Sequence, residues 1–385
     1  MNIITTTAAL ADFCAQAAKH PYVTVDTEFL RERTYYSKLC LLQMAMPGKD
    51  DAGAAIIDPL AEGIDLTPVY ALFADPNVVK VFHAARQDLE IFFVERGIIP
   101  APLFDTQVAA MVCGFGEQAG YETLVRKIAK AEVDKSSRFT DWSRRPLSEA
   151  QLRYALDDVT HLRAVYEHLS GRLAKSGRIA WVAEEMAVLN DPATYRVNPD
   201  EAWERVKTRT ASARFLGVVR ELARFREDYA QSRDIPRSRV FKDDALVELA
   251  STKPLTESDL AKSRLLLREA RRGDIADGIL AAVRRAVEMK PEDLPKAESY
   301  RDQPQVNPAL ADLLRVLLKA RAEAEGVAVK LIASAAELDA IASGGRDQPA
   351  LRGWRAEVFG TEALLLCEGK VALAARGQQV VTVRL

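Results

Sequence analysis

Two acidic side chains two residues apart form the most informative feature of the sequence. In the run Val25-Asp26-Thr27-Glu28, both acids lie on an apolar, β-branched stretch that predicts a strand. Side chains at positions i and i+2 of a strand point to the same face, so Asp26 and Glu28 would present two carboxylates together. Such a pair is costly in an apolar setting unless a cation holds it, and carboxylate oxygens favour Mg²⁺ or Mn²⁺. An Asp-x-Glu pair alone is weak evidence, since a strand end leading into a solvated loop is the commoner explanation.

Three further side chains could join the same chemistry. Asp88 lies at the start of a predicted helix, where the helix dipole also favours an acid without any further role. Tyr154 and Asp158 are four residues apart within a predicted helix over 148–162 and therefore share one face. Tyr154 could equally be a half-buried aromatic that anchors the helix. Asp157 points about 100° away, and we expect it to be solvated.

The elements that must position these residues predict an α/β domain over 1–195, with a mixed sheet covered by helices. Strands are predicted over 22–28, 40–46, 54–59 and 78–84, the first and last of them central. Short helices are predicted over 66–76 and 87–97, the second ending at Gly97, and the pattern from 121 to 185 is almost wholly helical. Asp105 is expected to be a structural acid or a helix cap.

Two proline-bearing polar stretches, 190–200 and 289–308, indicate domain edges. Between them lies a helical domain over 205–290. A final domain over 300–385 begins with a helical run at 307–328 and ends with a β-like tail at 380–385. Residues 205–290 and 307–360 share a plan of one long basic amphipathic helix, a short turn and smaller helices, which indicates a distant internal duplication.

Charge is distributed unevenly, although the net charge is only −2. Residues 1–204 carry 21 Lys and Arg against 29 Asp and Glu, a net −8, whereas residues 205–290 carry 20 against 13, a net +7. This division suggests a carboxylate-rich site joined to a module that binds a polyanion. Chance variation between helical surfaces is the alternative.

Several classes of protein are excluded. No stretch approaches the roughly 18 uncharged apolar residues that span a bilayer, and the N-terminus lacks the basic region of a signal peptide. The four cysteines show no Cys-x-x-Cys spacing, so neither a zinc site nor a disulfide framework is indicated. We therefore expect a cytoplasmic protein without a membrane partner.

The order Asp-x-Glu, Asp, Tyr-x-x-x-Asp resembles the DEDDy branch of the DnaQ-like 3′→5′ exonucleases, which have a ribonuclease H-like fold, and within it the ribonuclease D family. The matching stretches are 25–45, 80–92, 103–110 and 145–162. The region beyond 205, with the run 233–250, resembles an HRDC domain, and the region after Asn307 resembles a second, more divergent one. The resemblance implies a ribonuclease H-like exonuclease domain with a mixed sheet, followed by two mainly α-helical HRDC-like domains.

The resemblance also implies a role for each site residue. Two divalent ions, Mg²⁺ or Mn²⁺, would be held by the carboxylates of Asp26, Glu28, Asp88 and Asp158. Tyr154 would orient or deprotonate the attacking water. Orientation fits better, because a tyrosine with a pKa of about 10 is a poor base at neutral pH. The implied substrate is RNA with a free 3′ end, above all tRNA precursors. The implied reaction releases 5′-mononucleotides from that end. No obligate protein partner is implied.

Other residues are candidates for contacts with RNA. Arg31, Arg33, Tyr35 and Tyr36 follow the first acids and could bind phosphate and stack on a terminal base, or simply form a surface loop with a packed tyrosine. The candidates in the basic module are Arg220, Arg224, Arg237, Arg239 and Lys242. The alternative is an inert spacer whose charges are neutralised pairwise on its own surface.

Three other functions remain open. A non-catalytic binding protein built on an exonuclease fold would normally have lost at least one of the five site residues. A helicase accessory would suit an HRDC-like domain, but the sequence has no Gly-x-x-x-x-Gly-Lys-[Ser/Thr] motif. A DNA exonuclease would use the same chemistry, because no residue can be shown to read the 2′-hydroxyl and the preference for RNA rests on the resemblance.

Overall fold

A computed structural model describes residues 1–134, 136–209, 212–295 and 306–385. The chain divides into two compact units. The first unit comprises Met1–Glu28, Cys40–Asp191 and Pro304–Leu385, and the second comprises Phe29–Leu39 and Pro192–Gln303. Half of the domain edge predicted at 289–308, namely 296–305, lies outside the described residues.

A six-stranded sheet forms the centre of the N-terminal domain, with the strand order β1-β4-β3-β2-β5-β6. The strands are β1 (Ile3–Ile4), β2 (Tyr22–Leu30), β3 (Lys38–Ala45), β4 (Ala54–Ile57), β5 (Val79–Phe82) and β6 (Leu103–Asp105). Strand β3 runs antiparallel to β4, whereas the pairs β1–β4, β2–β5 and β5–β6 are parallel. The predicted mixed sheet is therefore confirmed, and β2 and β5 both lie in its interior. The two-residue β1 and three-residue β6 were too short to predict.

Seven helices accompany this sheet within the described part of the domain. They are α1 (Thr7–Ala17), α2 (Thr67–Ala74), α3 (Arg86–Arg96), α4 (Thr106–Val112), α5 (Tyr121–Leu124), α6 (Glu149–Ser176) and α7 (Ile179–Asn190). Helix α3 ends at Gly97, which adopts φ 68° as the C-cap, as predicted. Helix α6 begins with a capping box, in which the Ser148 side chain accepts from the Gln151 amide and the Gln151 side chain accepts from the Ser148 amide.

The prediction of nearly continuous helix from 121 to 185 is wrong. After α5, one wide turn over Val125–Ala129 ends at Lys130, which adopts φ 57°. The described residues between Lys130 and Ser148 form turns and irregular structure. There the carboxylates of Asp134 and Asp141 accept hydrogen bonds from the amides of Ser136 and Ser143, at 2.9 and 3.1 Å. Such local side-chain bonds compete with helical ones, and the sequence pattern did not reveal them.

The second unit is helical. Its helices are α8 (Ala213–Arg233), α9 (Arg237–Val240), α10 (Asp243–Thr252), α11 (Glu257–Leu260) and α12 (Gly273–Glu288). The apolar faces of α8, α10 and α12 form a common core with Val219, Leu246 and Val283. Tyr35, from the loop after β2, belongs to the same core.

The C-terminal region begins with α13 (Pro308–Glu325), α14 (Val329–Ile332) and α15 (Ala335–Ala342), and repeats the order of a long, a short and an intermediate helix seen in α8–α10. Helices α16 (Gly353–Arg355) and α17 (Thr361–Cys367) follow, and then an antiparallel hairpin of β7 (Val371–Arg376) and β8 (Gln379–Arg384). The β-like tail is thus confirmed. Trp354 of this region stacks on Trp181 of α7, with ring centroids 4.6 Å apart. None of the helices in the described ranges is long and apolar enough to cross a membrane.

Candidate active site

The first two acids lie in the second half of β2 (Tyr22–Leu30), and α6 supplies the third. One carboxylate oxygen from each of Asp26, Glu28 and Asp158 can be chosen so that all three lie within 4.8 Å of one another. The alternation of side chains along β2 places the two strand acids on one face. Helix α6 is fixed by a buried stripe that includes Ala155 and Val159. The i, i+2 pair and the helical acid are therefore brought together as the sequence predicts.

Tyr154 and Asp88 complete the group of five predicted residues. The Tyr154 hydroxyl lies near the Asp158 carboxylate, one helical turn further along α6, and the two groups interact electrostatically. Asp88 is buried in the first turn of α3 and accepts a hydrogen bond from the hydroxyl of Thr27, the residue between the two strand acids. It lies outside the group of three oxygens but close enough to Asp26 for their charges to interact.

Burial dominates the electrostatics of this cluster. It raises the pKa of Asp26 and of Asp88 well above the usual range of an aspartate, and repulsion from Asp158 and Asp26, respectively, adds to the shift. Burial raises the pKa of Glu28 to about 10 and that of Asp158 to about 7. The positive charge of Arg138 opposes the rise at both. Ionising these groups together requires additional positive charge.

Two residues of the surrounding shell were not predicted as part of the site. The Tyr121 hydroxyl donates to the backbone carbonyl of Asp157 at 2.7 Å and so ties α5 to the stretch of α6 that bears Tyr154 and Asp158. Arg138 lies in the irregular segment before α6. Neither residue stands in a motif with fixed spacing from the acids, so sequence periodicity gives no signal for them.

Asp105 is the structural acid and helix cap that the sequence predicts. Its buried carboxylate accepts from four backbone amides, those of Ala84 and Ala85 at 3.0 and 2.8 Å and those of Gln107 and Val108 at 2.7 and 3.4 Å. The first pair fixes the turn in which Ala84 adopts φ 58°, immediately before α3 and Asp88.

Comparisons with known proteins agree with this geometry. Residues 1–174 match the model of the 3′-5′ exonuclease family, and residues 215–283 match the HRDC domain. The chain is 63% identical over 379 residues to the ribonuclease D of Jannaschia sp., covering 98% of each chain, and 50% identical over 384 residues to that of Nitrobacter hamburgensis, covering 100% of this chain and 99% of the relative. The chain belongs to the ribonuclease D family. The crystal structure of Escherichia coli RNase D, described as an exoribonuclease involved in structured RNA processing, superimposes with a TM-score of 0.82 at 30% identity, over 96% of this chain and 99% of that one.

Membership of the ribonuclease D family confirms the predicted exonuclease and HRDC folds, and makes the chain a 3′→5′ exoribonuclease. The family does not by itself assign RNA contacts to residues. For those, the positions of the predicted candidates matter.

Tyr35 does not fit the predicted role of stacking on a base. Only 9% of its surface is exposed, because the ring belongs to the core of the second unit. Its hydroxyl donates to the Glu227 carboxylate, and the Arg237 guanidinium lies 4.7 Å from the ring centroid. Tyr36 is half-buried against the same core, whereas Arg31 and Arg33 are exposed. Tyr35 is therefore the packed tyrosine of a surface loop, which was the alternative to a contact with RNA.

The five basic candidates of the helical module fall into two groups. Arg237 donates to both Glu227 oxygens at 2.5 Å, Arg224 lies 3.2 Å from Asp200, and Arg220 donates to the Asp293 carbonyl at 2.9 Å. Arg239 and Lys242 are exposed, and within the part of the chain that the structure describes neither forms an ion pair. The alternative of pairwise neutralisation therefore applies to some of the five basic side chains but not to Arg239 and Lys242.

Proposed function

We propose that this chain shortens RNA from its 3′ end by metal-dependent hydrolysis and releases 5′-mononucleotides. The carboxylates of Asp26, Glu28, Asp88 and Asp158 would hold two divalent ions, Mg²⁺ or Mn²⁺. The observation that carries this proposal is the group of three half-buried carboxylates, one oxygen from each lying within 4.8 Å of the others.

The residues present fit such ions. All the donors are hard carboxylate oxygens, which suit Mg²⁺ and Mn²⁺ rather than softer metals. Burial and mutual repulsion raise the pKa of each acid, so the cluster lacks positive charge that a pair of divalent ions would provide. When bound, these ions would stabilise charge on the attacking and leaving oxygens of an in-line displacement at phosphorus.

Tyr154 would position the attacking water by a hydrogen bond. Burial raises the pKa of its hydroxyl further above that of a free tyrosine, and the charge of Asp158 adds to the shift. The hydroxyl therefore keeps its proton at neutral pH and cannot act as a general base. The Asp158 carboxylate near this hydroxyl would help to orient it. Thr27 donates a hydrogen bond to Asp88 and so orients that carboxylate.

Precursors of tRNA and other structured RNA are the substrates that we propose, in the cytoplasm. We propose three domains, an exonuclease domain over 1–195, an HRDC domain over 205–290 and a divergent HRDC-like domain over 300–385. Residues 205–290, with a net charge of +7, would bind the phosphate backbone of the folded RNA while the acidic domain hydrolyses the 3′ end of that RNA. The exposed side chains of Arg239 and Lys242 suit this role best among the five basic candidates.

Digestion of 3′-labelled and 5′-labelled RNA and DNA oligomers, with and without added metal, tests the activity. We expect release of 5′-mononucleotides from the 3′ end, faster from RNA than from DNA, and no cleavage in EDTA. Full activity in excess EDTA, or products that bear 3′-phosphates, would contradict the mechanism.

The role of the helical module is tested in the full-length chain, because removal of residues beyond 198 would uncover Tyr35. The double variant Arg239→Glu, Lys242→Glu should raise KM for a tRNA-like substrate and reduce the salt dependence of binding, since phosphate contacts release counterions. Arg224→Glu is the matched control, because its guanidinium already contacts Asp200. Equal salt slopes for the wild type and the double variant would favour an inert spacer.

A further inference from the structure

Phe139 is the most exposed large hydrophobic side chain among the described residues, with 92% of its surface accessible to water. A phenyl ring has a large apolar surface, and an exposed ring does not contribute the free energy of folding that its burial would provide. Isolated apolar side chains at a surface are common, so exposure alone assigns no role. The surroundings of Phe139 are more informative.

The preceding residue connects this ring to the active site. The Arg138 guanidinium carbon lies 5.3 Å from the centroid of the Phe139 ring. The charge of the same guanidinium acts on both Glu28 and Asp158, although burial dominates the pKa of each carboxylate. An exposed aromatic ring and a cation therefore lie together in the segment that leads into the helix bearing Tyr154 and Asp158.

The segment that bears Arg138 and Phe139 is held on α6. The Thr140 hydroxyl donates to the Ser137 carbonyl at 2.9 Å and accepts from the Gln151 side-chain amide at 3.0 Å. The Trp142 ring lies 6.0 Å from that of Tyr154. Residues on both sides of the exposed ring are thus tied to each other or to the helix that carries Tyr154 and Asp158. The backbone that bears Phe139 is therefore anchored next to α6.

We propose that Phe139 is the platform on which a base at the 3′ end of the RNA stacks, and that Arg138 contacts an adjacent phosphate. This inference rests on the proposed exoribonuclease function. Stacking on an aromatic ring tolerates every base, as an enzyme that removes one nucleotide after another requires. A guanidinium at the edge of an acidic cluster offsets repulsion of the phosphate backbone. The pair also takes the role for which Tyr35, being buried, is unsuited.

Three substitutions at Phe139 in the full-length protein test the stacking. Phe139→Ala should raise KM for single-stranded RNA by roughly 5- to 100-fold, the range for loss of one stacked base, with kcat little changed. Phe139→Tyr should retain the wild-type KM, and Phe139→Leu, which is apolar but cannot stack, should resemble Phe139→Ala. The melting temperature should not change, because the ring is exposed. Leu385→Ala is the control, since Leu385 is 82% exposed at the end of the C-terminal hairpin.

A binding measurement without turnover separates this inference from the activity itself. An RNA with 2-aminopurine as its 3′-terminal base, bound in EDTA, should lose fluorescence on the wild type and on Phe139→Tyr but not on Phe139→Ala. A wild-type KM and equal quenching in Phe139→Ala would overturn the platform while leaving the exonuclease function intact. Full recovery of KM by Phe139→Leu would also overturn it, because contact would then not require a π-face. A wild type that does not cleave RNA would instead contradict the proposed function.

Discussion

Two carboxylates shielded from water, one in each unit of the molecule, lie beside a tyrosine and yet have pKa values shifted in opposite directions. Asp158 on α6 lies near Tyr154, and Glu227 on α8 accepts a hydrogen bond from Tyr35. Burial raises the pKa of Asp158 to about 7. Burial also acts to raise the pKa of Glu227, but hydrogen bonds from Arg237 and Tyr35 hold it below its usual value.

The opposite pKa shifts of Asp158 and Glu227 reflect how much positive charge lies next to each carboxylate. Arg237 donates to both oxygens of Glu227, so this acid is buried together with its own counter-charge. Asp158 is half-buried beside Asp26 and Glu28, and the nearby Tyr154 and Arg138 offset only part of the rise in its pKa. A fold that buries an acid for stability supplies a partner from its own chain, whereas the charge of the active-site acids would be balanced by the divalent ions proposed above.

The largest expected effect is the loss of activity in Asp158→Asn. The variant removes one donor of the oxygen cluster, and kcat should fall by at least on the order of 10³-fold. The metal-free protein should nevertheless melt at the same temperature as the wild type or slightly higher, because a repulsive charge has been removed. Single-turnover cleavage and thermal melting in EDTA measure the two effects. A large fall in melting temperature would show that Asp158 stabilises the fold and would break the contrast with Glu227.

Substitution of the two tyrosines, Tyr154 and Tyr35, should likewise affect different properties, catalysis in one case and stability in the other. Tyr154→Phe should lower kcat by a factor on the order of 10² to 10⁴, the usual range for a group positioned for proton transfer, with little change in RNA affinity. Tyr35→Phe should leave kcat near the wild-type value and lower the free energy of unfolding instead, because Glu227 loses a donor. Steady-state kinetics and urea denaturation of both variants provide the comparison. Unaltered turnover in Tyr154→Phe would mean that this tyrosine is merely structural.

Glu227→Gln is the counterpart of Asp158→Asn in the second unit. It leaves Arg237 without its bidentate partner and weakens the bond to Tyr35, and each buried hydrogen bond lost typically costs about 1–3 kcal/mol. The free energy of unfolding should fall by about that amount at neutral pH. Cleavage well below the melting temperature should persist. If Glu227→Gln were as stable as the wild type, compensation by Arg237 would not be what distinguishes the two acids.

The pH dependence of stability should have opposite signs at the two sites. Because the folded pKa of Asp158 is raised to about 7, its contribution is full at acid pH and is lost as pH rises through about 7. The pKa of Glu227 is lowered, so its contribution is present above about 4.5 and is lost as pH falls through its folded value. In EDTA, the melting temperature of the wild type relative to Asp158→Asn should decline from pH 4 to 8, and Mn²⁺ should reverse this decline.

The contrast also explains what the sequence could and could not predict. The spacing of Asp26 and Glu28 along a strand, and of Tyr154 and Asp158 along a helix, determines their geometry locally, so these pairs were predictable. Tyr35 lies 192 residues from Glu227, and no local pattern indicates that the two meet. The same limit applies to Arg138, whose position depends on turns made by side chains before α6. Long-range partners decide whether a polar residue is structural or free to bind substrate.

The smallest effect is expected at Asp157, the immediate neighbour of Asp158. It is half-buried, and desolvation raises the pKa of its carboxyl, but it does not belong to the cluster of oxygens within 4.8 Å. What the structure uses at this position is the backbone carbonyl, which accepts from Tyr121 and which asparagine retains. Asp157→Asn should therefore keep kcat and stability within about twofold and about 0.5 kcal/mol of the wild type. The decisive experiment measures kcat of Asp157→Asn and Asp158→Asn side by side. If Asp157 were essential and Asp158 dispensable, the catalytic face of α6 would be the one that bears Asp157.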